Sequence, residues 1–415
     1  VSPVNEEGKA SGRIPGTDRR TVGPVVMGPT TRQERSLAPD LARGSVLLFI
    51  ALANVSFYLY GRPSEHALRP SDGSDLDRSL DFVVSFLIDQ RSYPMFAILF
   101  GYGMATIARR MTARGATLGG IQRVLVRRNL WLLAFGAAHA TLLFLGDILG
   151  AYGLTGLIVV LLLFSRVGIQ KAWLAASLVT MTAFFALNSL PNSAPFFESS
   201  NYLIAAAVRL GLWLFTTVAI AVVIGLLAPM IIGIWLARAG LLDHPWDHVG
   251  LLRRLALGGV AANLVGGLPY ALVVSGVWDV PAGAAIALGG LHALSGVAMG
   301  LAYVSLFALL AARRPRRRGA VAGLAAVGER SLTCYLLQSV MLAPLLTPWG
   351  FGVGENLGTA QAYGIAASVW LVTVVVAVLL AAAARRGPAE ILLRRLTYGR
   401  RDHALPGPSP VATPT

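Results

Sequence analysis

Histidine is the side chain whose ordinary pKa lets it give and take a proton near neutral pH. His139 sits in the apolar run FGAAHATLLFLGDIL, and that run closes on a carboxylate, Asp147. Such a pair could serve as a general base and its partner toward a hydroxyl or amine. The same residues could also be a histidine hydrogen-bonded to a neighbouring backbone or hydroxyl group. His292, in GGLHALSG, has no polar flank and reads first as a packed histidine. His66 stands among Arg62, Glu65 and Arg69 in a loop, where a histidine is ordinarily solvated, although that loop faces the side from which an acceptor would arrive.

Charged residues inside apolar runs form a second group. DQRSYP places Asp89, Arg91 and Pro94 within one run, and an ionisable group at bilayer depth costs at least about 2.5 kcal/mol without a partner or water. The expectation is either a polar cavity at a broken helix or an ion pair with a neighbouring helix. Asp40, Arg43 and Gly44 form D-x-x-R-G, with Asn54 further along the same run, and VGERSLTCYLLQS supplies Glu329, Arg330, Tyr335 and Gln338. A guanidinium fork suits phosphate, whereas an anchor arginine only reaches toward headgroups. Together Arg43, Arg330 and the neighbouring arginine clusters would make a cationic mouth for an anionic cofactor.

The sequence carries no P-loop, no G-x-S-x-G, no H-E-x-x-H and no cysteine pair, so nucleotide hydrolysis, serine-hydrolase chemistry and zinc have no motif to rest on. Cys334 is the single cysteine. Polar groups within helices are what remains to do chemistry.

Those groups must be positioned by membrane helices. Hydrophobic residues make up 55% of the chain and charged residues 13%, against about 25% charged in soluble proteins. Apolar runs long enough to cross about 30 Å of hydrocarbon recur along the chain, and in lipid such runs form helices. The runs predict about ten spans: 44–60, 82–108, 130–146, 148–164, 172–190, 210–237, 255–277, 283–312, 321–346 and 363–384. Arginines gather in alternate connections, at 109–128, at 313–318 and after the last run, while Asp72, Asp75, Asp77, Asp147 and Asp279 fall on the other side. The positive-inside rule then puts both termini in the cytoplasm. Residues 1–39 and 400–415, rich in Pro, Gly, Ser and Thr, read as disordered cytoplasmic tails around one membrane domain at 40–399. The net charge of +15 lies between apolar runs without an aromatic-rich basic groove, so it points to membrane topology and not to nucleic acid.

Several strings, in order, resemble the YeiB-like family of bacterial membrane proteins, a family of unknown function. They are PDLARGSVLLFIALAN, SYPMFAILFGYG, FGAAHATLLFLGDILGAYGLTG, VGERSLTCYLLQS and RRGPAEILLRRLTYG, running from Asp40 to about Gly399. Glu329 and Gly153 depart from the usual pattern. The family is grouped with transmembrane acyltransferases similar to heparan-α-glucosaminide N-acetyltransferase. The resemblance implies an all-α bundle in the bacterial plasma membrane that takes an acyl group from cytosolic acyl-CoA, acetyl-CoA first among them. The acceptor would be a hydroxyl or amine of a glycan, lipid or small metabolite. In the lysosomal relative a histidine soon after the first-span asparagine is catalytic, which carries over weakly to His66 after Asn54. His139, inside a matched motif, ranks first as base, with Asp147 orienting it and Asn54 hydrogen-bonding the carbonyl. Asp40, Arg43, Arg91, Arg330 and Gln338 would hold the acyl-CoA. The rival expectation is a transporter or flippase, since intramembrane charges and broken helices also build transport sites. A noncatalytic scaffold and a homo-oligomer stay open.

Overall fold

The computed structural model describes residues 36–63, 68–190, 199–313 and 318–399. The two expected tails, apart from Ser36–Pro39, lie outside the described residues, as do His66, Arg314, Arg316 and Arg317. The described chain is helical throughout, in the order α1 (Leu37–Asn54), α2 (Asp75–Leu87), α3 (Ser92–Ala113), α4 (Leu118–Leu142), α5 (Leu149–Leu162), α6 (Val167–Leu187) and α7 (Tyr202–Val222). There follow α8 (Leu227–Arg238), α9 (Val249–Val274), α10 (Ala282–Arg313), α11 (Gly319–Glu329), α12 (Ser331–Leu346), α13 (Thr359–Ala382) and α14 (Pro388–Tyr398). Helix α1 begins inside the stretch read as tail.

Among the described residues, six helical stretches are long and apolar enough to cross a membrane, and α11 with α12, bent by 86° at their junction, make a seventh if a bent pair is one passage. Large apolar side chains such as Val179, Leu203, Phe215, Leu257, Val265 and Leu379 stand exposed on the outside, a surface suited to lipid and not to water.

Three of the expected continuous spans are broken. The run at 82–108 divides at Ile88–Arg91, where Gln90 adopts φ +60°, and Pro94 falls in the first turn of α3. A proline there costs no helical hydrogen bond, because the first amides of a helix have no partner within it. The run at 210–237 divides at Gly225, whose φ of +83° ends α7 and starts the turn into α8. The third break, at Arg330, separates α11 from α12.

Small residues let the helices touch backbone to backbone. A methyl on Gly44 would lie 2.0 Å from the Leu324 carbonyl and one on Gly328 1.9 Å from that of Asp40, so the D-x-x-R-G segment of α1 is pressed against α11. Gly101 and Gly233 meet the facing backbones of α8 and α3 in the same way. Around these contacts the main core gathers Leu41, Ile98, Leu99, Leu125, Tyr152, Ile231 and Val327.

Candidate functional site

Helix α4 brings His139 to its last turn, and the chain then turns through residues 143–148 into α5. Asp147 stands just before α5, and its Oδ1 accepts from the amide of Leu149 at 3.1 Å and its Oδ2 from that of Gly150 at 2.8 Å. Donors at a helix start favour a carboxylate because they are both unpaired amides and the positive end of the dipole. Trp213 of α7 adds its indole N–H to Oδ2 at 3.1 Å. Asp147 Oδ1 then lies 2.8 Å from His139 Nδ1. In a neutral imidazole, a carboxylate at Nδ1 selects the tautomer with the proton on Nδ1 and the lone pair on Nε2. Nε2 is buried and has no hydrogen-bond partner in the structure.

The close approach of α4 and α5 depends on Gly136. A methyl at Gly136 would sit 2.2 Å from the Gly150 nitrogen and 2.5 Å from Asp147 Oδ2. The G-x-x-H string therefore pairs a histidine with the gap that admits its carboxylate.

A cavity of about 370 Å³ runs from the arginine-rich ends of α1, α3 and α4 into the bundle, within the span of about 300 to 1,000 Å³ common to small-molecule sites. Arg43, Arg110 and Arg128 line the mouth, and Leu47, Ile50, Leu132, Ile148, Leu149 and Tyr335 line the walls farther in. The Tyr335 ring lies 5.1 Å from that of His139, so the dyad stands directly behind this part of the wall. The Tyr335 hydroxyl is buried as well, beside the Ile148 backbone.

The mouth is held by the two C-terminal motifs. Glu390 of α14 accepts from the amides of Leu332 and Thr333 at 2.8 and 3.1 Å and from the Thr333 hydroxyl at 2.5 Å, closing the start of α12. Arg330 donates to the Arg385 carbonyl at 3.2 and 2.6 Å and to that of Ala326 at 3.1 Å, and pairs with Glu329 at 3.3 Å. Asp40 is buried 3.9 Å from Arg43, which also donates to the Leu99 carbonyl at 3.2 Å.

Of the residues singled out in the sequence, Asp40, Arg43, Glu329 and Tyr335 line this cavity, whereas His139 and Asp147 lie outside the lining and touch it through the Tyr335 ring. Arg330 and Gln338 do not line it. The guanidinium of Arg330 is occupied by the backbone at the break, and Gln338 donates to the Leu47 carbonyl at 3.4 Å, fastening α12 to α1. Asn54 ends α1 half-buried and away from the lining, and His66 falls outside the described residues. Arg91 is fully buried in another place. It donates to Asn263 Oδ1 at 3.0 and 2.6 Å, meets His292 Nε2 at 2.7 Å and bonds the Asp89 carbonyl at 2.5 Å, tying the α2–α3 break to α9 and α10. The Asp89 carboxylate pairs with Arg69 at 2.6 Å, and Arg69 also reaches Asp81 at 2.9 Å and the Tyr363 hydroxyl at 3.1 Å. Asp89 is thus engaged by Arg69 of the loop before α2 and Arg91 by Asn263, His292 and a backbone carbonyl at a broken helix, and neither forms the expected ion pair with a neighbouring helix.

Sequence reasoning did not single out Trp213, Glu390 or Arg128 as individual site residues. Glu390 sits in a recognised motif and could have been found there. Trp213 comes from a distant apolar run and carries no local signal.

An all-helical bundle with several candidate membrane spans and a buried His–Asp pair behind a cavity lined by arginines and carboxylates is the class of protein that fold and site define. Residues 236–400 match the family described as a protein of unknown function, DUF418. The chain is 26% identical to the uncharacterized protein YeiB of Escherichia coli (strain K12) over 404 residues, covering 88% of this chain and 96% of YeiB. It is 32% identical to the uncharacterized protein YxaH of Bacillus subtilis (strain 168) over 179 residues, and that match spans 42% of each chain, less than half of YxaH. These matches support a place for the chain in the YeiB-like family. The DUF418 segment holds Tyr335, Glu390 and the break at Arg330, while the His139–Asp147 pair precedes it.

Proposed function

We propose that the protein is a membrane acyltransferase that moves an acyl group from acyl-CoA to a hydroxyl or amine acceptor at or across the bacterial plasma membrane. The observation that carries this reading is His139 Nε2, a buried base with its other nitrogen fixed on Asp147 and no partner of its own, standing behind the Tyr335 wall of the cavity. In the reading, the positive-inside pattern puts the arginine-rich mouth and both termini in the cytoplasm, with about ten membrane passages when the short and broken helices are counted.

The acyl-CoA enters by that mouth, its phosphates among the arginines and its thioester toward Tyr335. Nε2 takes the proton from the acceptor O–H or N–H as the acceptor oxygen or nitrogen attacks the thioester carbonyl. The tetrahedral intermediate collapses, the C–S bond breaks, and the proton on His139 passes to the leaving CoA sulfur. Asp147 holds the ring and stabilises the imidazolium in between. The Tyr335 hydroxyl supplies a donor for the carbonyl oxygen as it gains charge, a part the sequence had given to Asn54.

A second reading, a transporter or flippase, draws on the helix breaks at Gln90, Gly225 and Arg330, since discontinuous helices build transport sites. Purified protein supplied with acetyl-CoA and a lipid and metabolite extract separates the two. Release of free CoA matched by acetylated product supports transfer. No CoA release, with substrate moving across vesicles that hold the protein, supports transport.

A further inference from the structure

Arg128 belongs to the third turn of α4 and faces the same cavity from the arginine-rich end. Its guanidinium lies over the Phe100 ring, with the central carbon 4.8 Å from the ring centroid. Stacking of this kind fixes the plane of the fork and leaves its donating edge for a ligand. Nη1 is buried and meets no hydrogen-bond partner. A guanidinium donor left so in a low-dielectric place is costly unless something else satisfies it.

The carboxylates around the cavity do not fill that role. Asp40 is beside Arg43, Glu329 is beside Arg330, and Asp243 takes Arg109 and the Tyr102 hydroxyl. Glu390 is engaged by the start of α12. Arg43 and Arg110 share the lining with Arg128, alongside the carboxylates just named.

We infer that Arg128, stacked on Phe100, is the anion-binding residue of the cavity and takes a phosphate or diphosphate group by a bidentate contact. The apolar stretch beyond it, from Leu47 and Ile50 to Leu132, suits a slender chain attached to that group. A nucleotide-linked thioester and a lipid phosphate share this chemistry. The subsite rests on the acyl-CoA reading only for the identity of the molecule that carries the anion.

Binding to the purified full-length chain in detergent tests it, with inorganic pyrophosphate, CoA and dioleoyl phosphatidate as separate probes in isothermal titration. Arg128→Gln should weaken pyrophosphate by about tenfold or more, the scale of one charge-assisted hydrogen bond, and raised salt should weaken the unmodified protein likewise. Arg128→Lys keeps the charge but loses the fork and should recover only part. Arg78→Gln, on an exposed part of α2 outside the cavity lining, should change neither pyrophosphate nor CoA binding. If the Gln variant does not fold, the Lys variant carries the test, with a loss of severalfold expected. Loss of both pyrophosphate and CoA in the variants supports the subsite with the cofactor as carrier. Loss of pyrophosphate and phosphatidate, with no CoA binding by the unmodified protein, keeps the subsite and overturns the acyl-CoA reading. Equal pyrophosphate affinity in the folded Arg128 variants, or no binding of any probe by the unmodified protein, overturns the inference.

Discussion

His139 Nδ1 and Asp147 Oδ1 stand 2.8 Å apart although one closes α4 and the other precedes α5. The carboxylate is itself held by the Leu149 and Gly150 amides and the Trp213 indole, so the imidazole is fixed by a partner that cannot readily turn. Asp147→Asn keeps the shape and removes the charge. It should lower turnover by roughly 10² to 10⁴, because an amide no longer enforces the tautomer or stabilises the imidazolium, with acyl-CoA affinity little changed. Single-turnover CoA release beside equilibrium CoA binding reads the two quantities separately.

Gly136 sets the distance between the two helices that carry the pair. Gly136→Ala places a methyl 2.2 Å from the Gly150 nitrogen, a backbone atom that cannot swing aside. Thermal unfolding should show a loss of about 1 to 3 kcal/mol, the usual cost of overpacking, together with reduced transfer. Gly119→Ala, in the same helix with open space around it, is the matched control and should be neutral or slightly stabilising.

The fold was legible in the sequence to the extent that apolar length dictates helices, and Asp40–Gly44 and G-x-x-H appeared as strings before their packing could be known. Breaks were harder to read. Asp89 and Arg91 signalled one, but whether they served a ligand or each other's helices depended on Arg69, Asn263 and His292, which lie far along the chain. Arg330 illustrates the same limit: its motif was visible, yet its partner is the carbonyl of Arg385, and a carbonyl has no sequence signature. His139 and Asp147 were legible because they are close in sequence, whereas Trp213 was not.

Glu390 holds the break between α11 and α12 closed. Glu390→Gln keeps one acceptor but loses the charge at the start of α12, and should cost about 1 kcal/mol locally. Amide exchange at Leu332 and Thr333 should quicken by severalfold while amides in the middle of α12 stay protected. Unchanged exchange at both amides would show that the break is held by Arg330 alone.

At the opposite end, Asp77 accepts from the Ala360 amide at 2.7 Å and the Ser74 amide at 2.8 Å. Burial works against its charge, but the Ala360 amide, the Ser74 hydroxyl and amide, and the Thr359 hydroxyl outweigh it and hold the carboxyl below the usual aspartate range. A lowered folded value means that the stabilisation is whole above the unfolded pKa of about 3.9 and disappears as pH falls through the folded value. Thermal stability should therefore decline in acid below about pH 4, and Asp77→Asn should remove its part of that decline. An unaltered pH dependence in the variant would assign the acid sensitivity to other carboxylates.

The most direct measurement is acyl transfer from labelled acetyl-CoA by His139→Gln beside the unmodified protein, both checked for folding and for CoA binding. Glutamine retains polarity and approximate size and cannot take the proton. Transfer should fall by roughly 10² to 10⁴ while CoA affinity holds, which is the signature of a lost general base. Transfer at the unmodified rate by a well-folded His139→Gln protein would contradict the assignment of His139 as the base.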